Sequence, residues 1–214
     1  MSIKDRKIKE NALLRKKILA AALRVFSEQG YGKVSLRKIA ARIDYSPTTI
    51  YRFFRNKEEL LTTIAVETFK DLSAKVEKVQ AKGGAHPLVL LKTLVGEYIV
   101  FCAERPDMFR LFSDLASFEM EDGIMYERLG PIRQRVYQSW FQAIRRAIES
   151  GHLEVKDDAR VFLYVWDAVN GYIDHLVNHP RVPRKPLAKD SAEFLDLLFR
   201  GIEVKRTSRK GDES

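Results

Sequence analysis

The sequence is defined first by what it lacks. A single cysteine, Cys102, stands in 214 residues, so no internal disulfide can form and no cysteine-based metal cluster fits. A buried, reduced thiol is the expected state. Glycine and proline are scarce, at 11 and 7, which excludes collagenous and low-complexity chains. No apolar run approaches the roughly 20 residues that cross a bilayer. The opening MSIKDRKIKEN is basic, with no apolar stretch or small-residue cleavage site behind it, so it does not read as a secretory signal. A cytoplasmic protein without a membrane partner is expected. Nucleophile elbow, phosphate loop and dinucleotide fingerprint are all missing. No enzyme, no catalytic residue and no cofactor are therefore expected. His175 and His179, four apart with Asp174 adjacent, share a helix face. Without a clear third ligand the pair reads as helix-end histidines, and no metal site is assigned.

What is present is a globular composition, 45% hydrophobic and 31% charged, with an uneven charge. Residues 1–57 hold fifteen Lys/Arg against four Asp/Glu, or +11; the other 157 hold twenty-three against twenty-five, or −2. The net +9 thus resides in the first quarter of the chain. One basic run usually marks a solvated face, but an excess that stops at an organisational boundary points to a polyanion-binding head on a neutral body.

Apolar periodicity is helical throughout, and no strand signal or internal repeat is visible. The expected fold is all-α with about nine helices. A first helix is expected from about Ile8 to Gln29, stopped by Gly30. Ser35 caps a second, whose inner face is Leu36, Ile39, Ala40 and Ile43. Asp44-Tyr45 turns the chain, and Ser46-Pro47 starts a short third helix, a capping residue followed by proline at the first helical position. Asn56, with Glu59 three residues on, opens a long fourth helix that ends at Gly83-Gly84. Further helices are expected over 87–103, 106–118, a long stretch begun near Pro131 and ended by Gly151, 158–178 after the Asp157 cap, and 190–204. Met120 to Gly123 and the prolines at 180, 183 and 186 mark connections. The division expected is a basic, polyanion-binding head over 1–57, a linker helix over 57–82, and a helical body over 83–214.

Two short helices joined by a tight turn, packed on a longer one, make a helix-turn-helix. Ile39, Ala40, Ile43, Tyr45 and Ile50 can lock the pair together. Pro47, Thr48 and Thr49 then stand at the leading end of the second helix, where side chains meet base edges in a major groove. Tyr51, Arg52, Arg37, Lys38 and Lys57 surround them with groups suited to phosphate. An ordinary buried hairpin would carry apolar residues at these places.

The stretch Ile18 to Leu61 resembles the DNA-binding head of the TetR family of transcriptional regulators. The residues that carry this are the alanine-rich first helix with Phe26, Gly30-Tyr31, Ser35 to Ala40, Tyr45-Ser46-Pro47, Ile50-Tyr51, Phe54, and Lys57 to Leu60. The resemblance implies that Ser46 to Arg52 form the recognition helix, that Tyr51 and Lys57 contact phosphate, and that Arg37 or Lys38 add backbone contacts. Two departures stand out: Asp44 occupies the turn where the family has glycine, and Arg52 the place of a histidine. Aspartate tolerates left-handed backbone better than most residues, so the motif is expected to survive. Lys4, Arg6, Lys7 and Lys9 form either a basic arm near the minor groove or a solvated tail.

The family plan also implies a homodimer on a palindromic double-stranded operator, paired through the helices near 158–178 and 190–204. It implies a small-molecule effector among the middle helices, with Phe101, Phe112, Trp140 and Trp166 as candidate contacts. The segment Val165 to Tyr172 resembles a tryptophan-to-glycine motif of some family C-terminal domains, with Asn170 in place of histidine; Gly171 is expected to allow close helix approach. The function expected is a ligand-responsive regulator, a repressor released or modified by its effector. The alternative is a constitutive or architectural DNA-binding protein without a ligand.

Overall fold

The structure is a computed structural model that describes residues 2–82, 86–116, 124–179 and 186–202. Among these there are nine α-helices and no strand. They are α1 (Ile3–Gln29), α2 (Leu36–Arg42), α3 (Pro47–Tyr51), α4 (Lys57–Ala81), α5 (Pro87–Ala103), α6 (Pro106–Ala116), α7 (Ile124–Glu149), α8 (Asp158–Asn178) and α9 (Leu187–Arg200). The connections expected at Met120–Gly123 and at Pro180 and Pro183 lie outside the described residues, as do the helix stop at Gly83-Gly84 and the end of the last expected helix.

Two compact units emerge. The first comprises Met1–Ala74 and Cys102–Arg135, the second Lys75–Phe101 and Val136–Ser214. In the first, α1 packs on α2 and α6, and α2 packs on α3. Its core is continuous: Ile18 and Phe26 of α1, Ile39 of α2, Ile50 of α3 and Leu60 of α4 are fully buried, and Leu111, Met125 and Leu129 join them. In the second, Leu91, Leu94, Ile99, Phe101, Trp140, Val169, Ile173 and Phe199 are buried. α5 lies against α9 at Gly96, where a Cβ would make an ordinary contact with Leu195 at 3.6 Å. Gly171, expected to serve such an approach, is exposed and would meet nothing within 4 Å.

Several boundaries differ from expectation for local reasons. α1 begins at Ile3 and not near Ile8, because Ser2 and Asp5 form a reciprocal capping box. The residues expected as an arm or tail are therefore helical, and a helix about 10 Å across cannot enter a minor groove about 6 Å wide. Pro131 lies inside α7, not at its start. It is exposed, and as an interior proline it denies the helix one backbone bond. α9 starts at Leu187, three residues before the expected start.

Candidate nucleic-acid interface

The turn between α2 and α3 explains how the head works without a glycine there. Ile43 ends α2, and Asp44 follows with φ 59°, the only positive φ outside glycine among the described residues. The Tyr45 N–H then reaches back to the Ala40 carbonyl at 3.0 Å, and the Asp44 N–H to Ala41 at 3.4 Å. This pair of bonds is the usual way a left-handed residue closes a helix C-terminus. Lys17 of α1 finishes the cap, donating to the Ile43 carbonyl at 3.4 Å with its ammonium 5.0 Å from the centre of the Tyr45 ring. Tyr45 was expected to help lock the two helices. It is instead 39% exposed and covered from outside by that lysine. The locking falls to Ile39, Ala40, Ile43 and Ile50, all buried.

Ser46 caps α3, accepting from the Thr49 N–H at 3.2 Å, and its hydroxyl lies 2.9 Å from that of Thr49. Thr49 is half-buried and its hydroxyl is committed to the cap. Pro47, Thr48, Tyr51 and Arg52 are exposed around it. The helix thus presents Thr48 outward, while Ile50, completely buried, anchors the element from below.

The basic residues divide by what they already hold. Lys38 donates to the Lys33 carbonyl at 2.9 Å and lies 3.4 Å from the Gln29 amide oxygen. Lys57 is half-buried and donates to the Tyr31 carbonyl at 3.1 Å, its ammonium 4.3 Å from the centre of the Tyr31 ring. Burial, then the charge of Glu58, push the Tyr31 hydroxyl above its ordinary range, so it stays neutral beneath the lysine. Arg37 and Arg52 are exposed, and among the described residues neither guanidinium holds a partner. Asn56 caps α4 as expected, accepting from Glu59 at 2.8 Å, while the Glu59 carboxylate accepts from Arg55. Lys17 was missed by sequence reasoning; its 26-residue separation from Ile43 leaves no local signal.

The residues assigned to an effector fall in both units. Trp140 and Trp166 meet in the second unit, ring centres 5.9 Å apart, and Phe101 is buried in that unit. Phe112 belongs to the first unit and packs edge-on against Phe69 at 5.7 Å. The stacked rings of His175 and His179 are 4.7 Å apart, and no group of three possible metal ligands occurs among the described residues. No helix there is long and apolar enough to cross a membrane.

This arrangement, a short exposed helix on a closed turn with free guanidinia beside it, is that of a helix-turn-helix DNA-binding head. Residues 18–64 match the model for bacterial regulatory proteins of the tetR family. That match covers the head of the chain, about a fifth of its length. Over 83 residues it is 36% identical to the HTH-type transcriptional repressor KstR of Mycolicibacterium smegmatis, a span of 39% of this chain and 40% of KstR. The chain thus matches about two fifths of the length of that curated relative. The fold extends further. A tetR-family regulatory protein from Rhodococcus RHA1 superposes with TM-score 0.72 at 24% identity, over 87% of this chain and 95% of the other. FadR of Bacillus subtilis, solved in complex with stearoyl-CoA, does so with TM-score 0.66 at 20% identity, over 87% and 98%.

Proposed function

We infer that the protein is a ligand-responsive transcriptional regulator of the cytoplasm, a repressor that binds a palindromic duplex operator as a homodimer and is released or modified by a small molecule. The observation that carries this is the outward face of α3. Thr48 stands free while the neighbouring Thr49 hydroxyl is held by the Ser46 cap, and Arg37 and Arg52 of the same head are exposed and uncommitted among the described residues. Threonine can donate or accept at a base edge and touch a thymine methyl, and the arginines supply backbone contacts. Tyr51, half exposed, joins them at phosphate, and Lys57 retains N–H donors beyond the one given to Tyr31.

Residues 1–57 form the DNA-binding part of this reading and 83–214 the part that dimerises and receives the effector. Pairing through α8 and α9 is supported by large apolar side chains left in water: Leu163 at 51%, Tyr164 at 62% and Leu197 at 66% exposure. Two heads roughly 34–36 Å apart then meet successive major grooves. The effector response is supported by stearoyl-CoA bound to a protein of the same fold. α4 is one uninterrupted helix, Lys57–Ala81, that opens next to the recognition helix and closes in the second unit. An effector that favours one placement of α4 opposes DNA with a coupling of about 1–3 kcal/mol. Selection of bound sites from random duplex DNA tests the reading. A near-palindrome is expected, and an asymmetric or absent consensus overturns it.

A further inference from the structure

Aromatic rings of three helices meet in the second unit: Tyr98 of α5, Tyr137, Trp140 and Phe141 of α7, and Phe162 and Trp166 of α8. Tyr98 stacks on Trp166 at 5.5 Å and meets the edge of Trp140 at 5.4 Å. Phe162 lies nearly parallel to both Phe141 and Trp166, at 18° and 11°. The polar groups of Tyr98 and Asn170 at this cluster are paired. The Tyr98 hydroxyl donates to the Asn170 amide oxygen at 3.1 Å, and the Asn170 amide donates to the Trp166 carbonyl at 2.8 Å. Trp140 is only 1% exposed, and its indole N–H finds no acceptor among the described residues.

A buried tryptophan usually finds a partner for that group, because leaving it unpaired forfeits its hydration for nothing. Phenylalanine would fill much of the same space without the penalty. An orphaned donor in an aromatic core asks for an acceptor from outside the chain. The surrounding rings decide its chemistry. A carboxylate or phosphate brought among them would lose far more hydration than one neutral N–H returns. A ketone or amide oxygen would not. Phe141 and Phe162 are already stacked on each other at 4.3 Å, so a flat apolar body would lie against the outside of this stack, where Phe141, Phe162, Trp166 and Tyr137 are only partly buried.

We propose that this cluster is the effector site, and that Trp140 donates a hydrogen bond to a neutral carbonyl oxygen on a flat, largely apolar molecule. The proposal rests on the reading of the chain as a ligand-responsive regulator and adds to it the class of ligand and the residue that selects it.

The test uses the full-length protein and two probes of one shape, 9-fluorenone and fluorene, which differ by a carbonyl in place of a methylene. The chain has 2 tryptophans, so its indole N–H resonances are few enough to follow singly, and Trp140→Phe assigns them. Fluorenone is expected to bind roughly tenfold more tightly than fluorene, the worth of one hydrogen bond, and to move the Trp140 N–H resonance downfield. Trp140→Phe is expected to bind the two probes alike. Equal binding by the native protein, no binding of either probe, a downfield shift confined to Trp166, or a ketone preference that survives Trp140→Phe overturns the proposal. Should the variant fail to fold, the resonance shift in the native protein still decides. Retardation of the selected DNA site, run on the same sample, separates the two readings. Its failure sinks the regulator, and intact retardation without ketone preference sinks only the carbonyl-binding cluster.

Discussion

At the scale of single residues, the head distinguishes side chains left free from those spent on the protein itself. Arg37 and Arg52 are unspent, so replacing either by Gln is expected to lower the salt slope of DNA binding by about one unit. Lys38→Gln should lower that slope by less, because its ammonium is already held by the Lys33 carbonyl and the Gln29 amide oxygen. Titrating the affinity of each variant against salt concentration checks both. Thr48 and Thr49, adjacent and chemically identical, are expected to behave differently. Thr48→Ala should alter the selected consensus with stability untouched. Thr49→Ala should lower stability, because its hydroxyl holds the Ser46 cap, and leave the preferred bases in place. Denaturation and site selection on the same pair read this out. The roles of Ser46 and Pro47 were legible in the sequence, because capping is settled within four residues. Those of Lys38 and Lys57 were not. Their acceptors, the carbonyls of Lys33 and Tyr31, depend on where the chain passes again, and for Lys57 that is 26 residues away.

Among elements, the turn is the one whose chemistry departs from the family and whose geometry does not. Asp44 holds φ 59°, a region that a short polar side chain tolerates and a branched one does not. Asp44→Val is therefore expected to destabilise the head by about 1–2 kcal/mol, measured by urea denaturation, and to weaken DNA binding through loss of the α3 angle. Asp44→Gly should be tolerated in both assays. The helices themselves were legible, since stripes such as Ile18, Ala22, Val25 and Phe26 repeat at helical spacing. Their ends were less so. α1 starts early because a two-residue device, Ser2 with Asp5, outweighs the polar composition that follows it. Pro131 read as a start and is an interior residue of α7, because the apolar pattern of the helix continues on both sides of it. Periodicity marks an apolar face without naming its partner. Nothing local in Leu111, Met125 or Leu129 tells that they pack with Phe26 and Ile39.

For the whole molecule, the apolar side chains left outside α8 and α9 set the assembly prediction. Leu197→Glu is expected to leave the protomer folded, since that side chain is already 66% exposed, and to shift the protein toward monomer in sedimentation. Retardation of the selected site should weaken with it. A variant that stays dimeric would place the pairing surface elsewhere. The brevity of α3 shows why so much depends on that pairing. Its five residues rise about 7.5 Å, little more than two base-pair steps of roughly 3.4 Å each. A reader that short tells apart roughly 16 to 64 words of DNA text, and any one such word recurs within a few dozen base pairs. A single copy could therefore find sites everywhere and address none. Only the fixed spacing between two copies converts a common word into a rare phrase, and a change that altered the spacing would erase the address while leaving every letter readable.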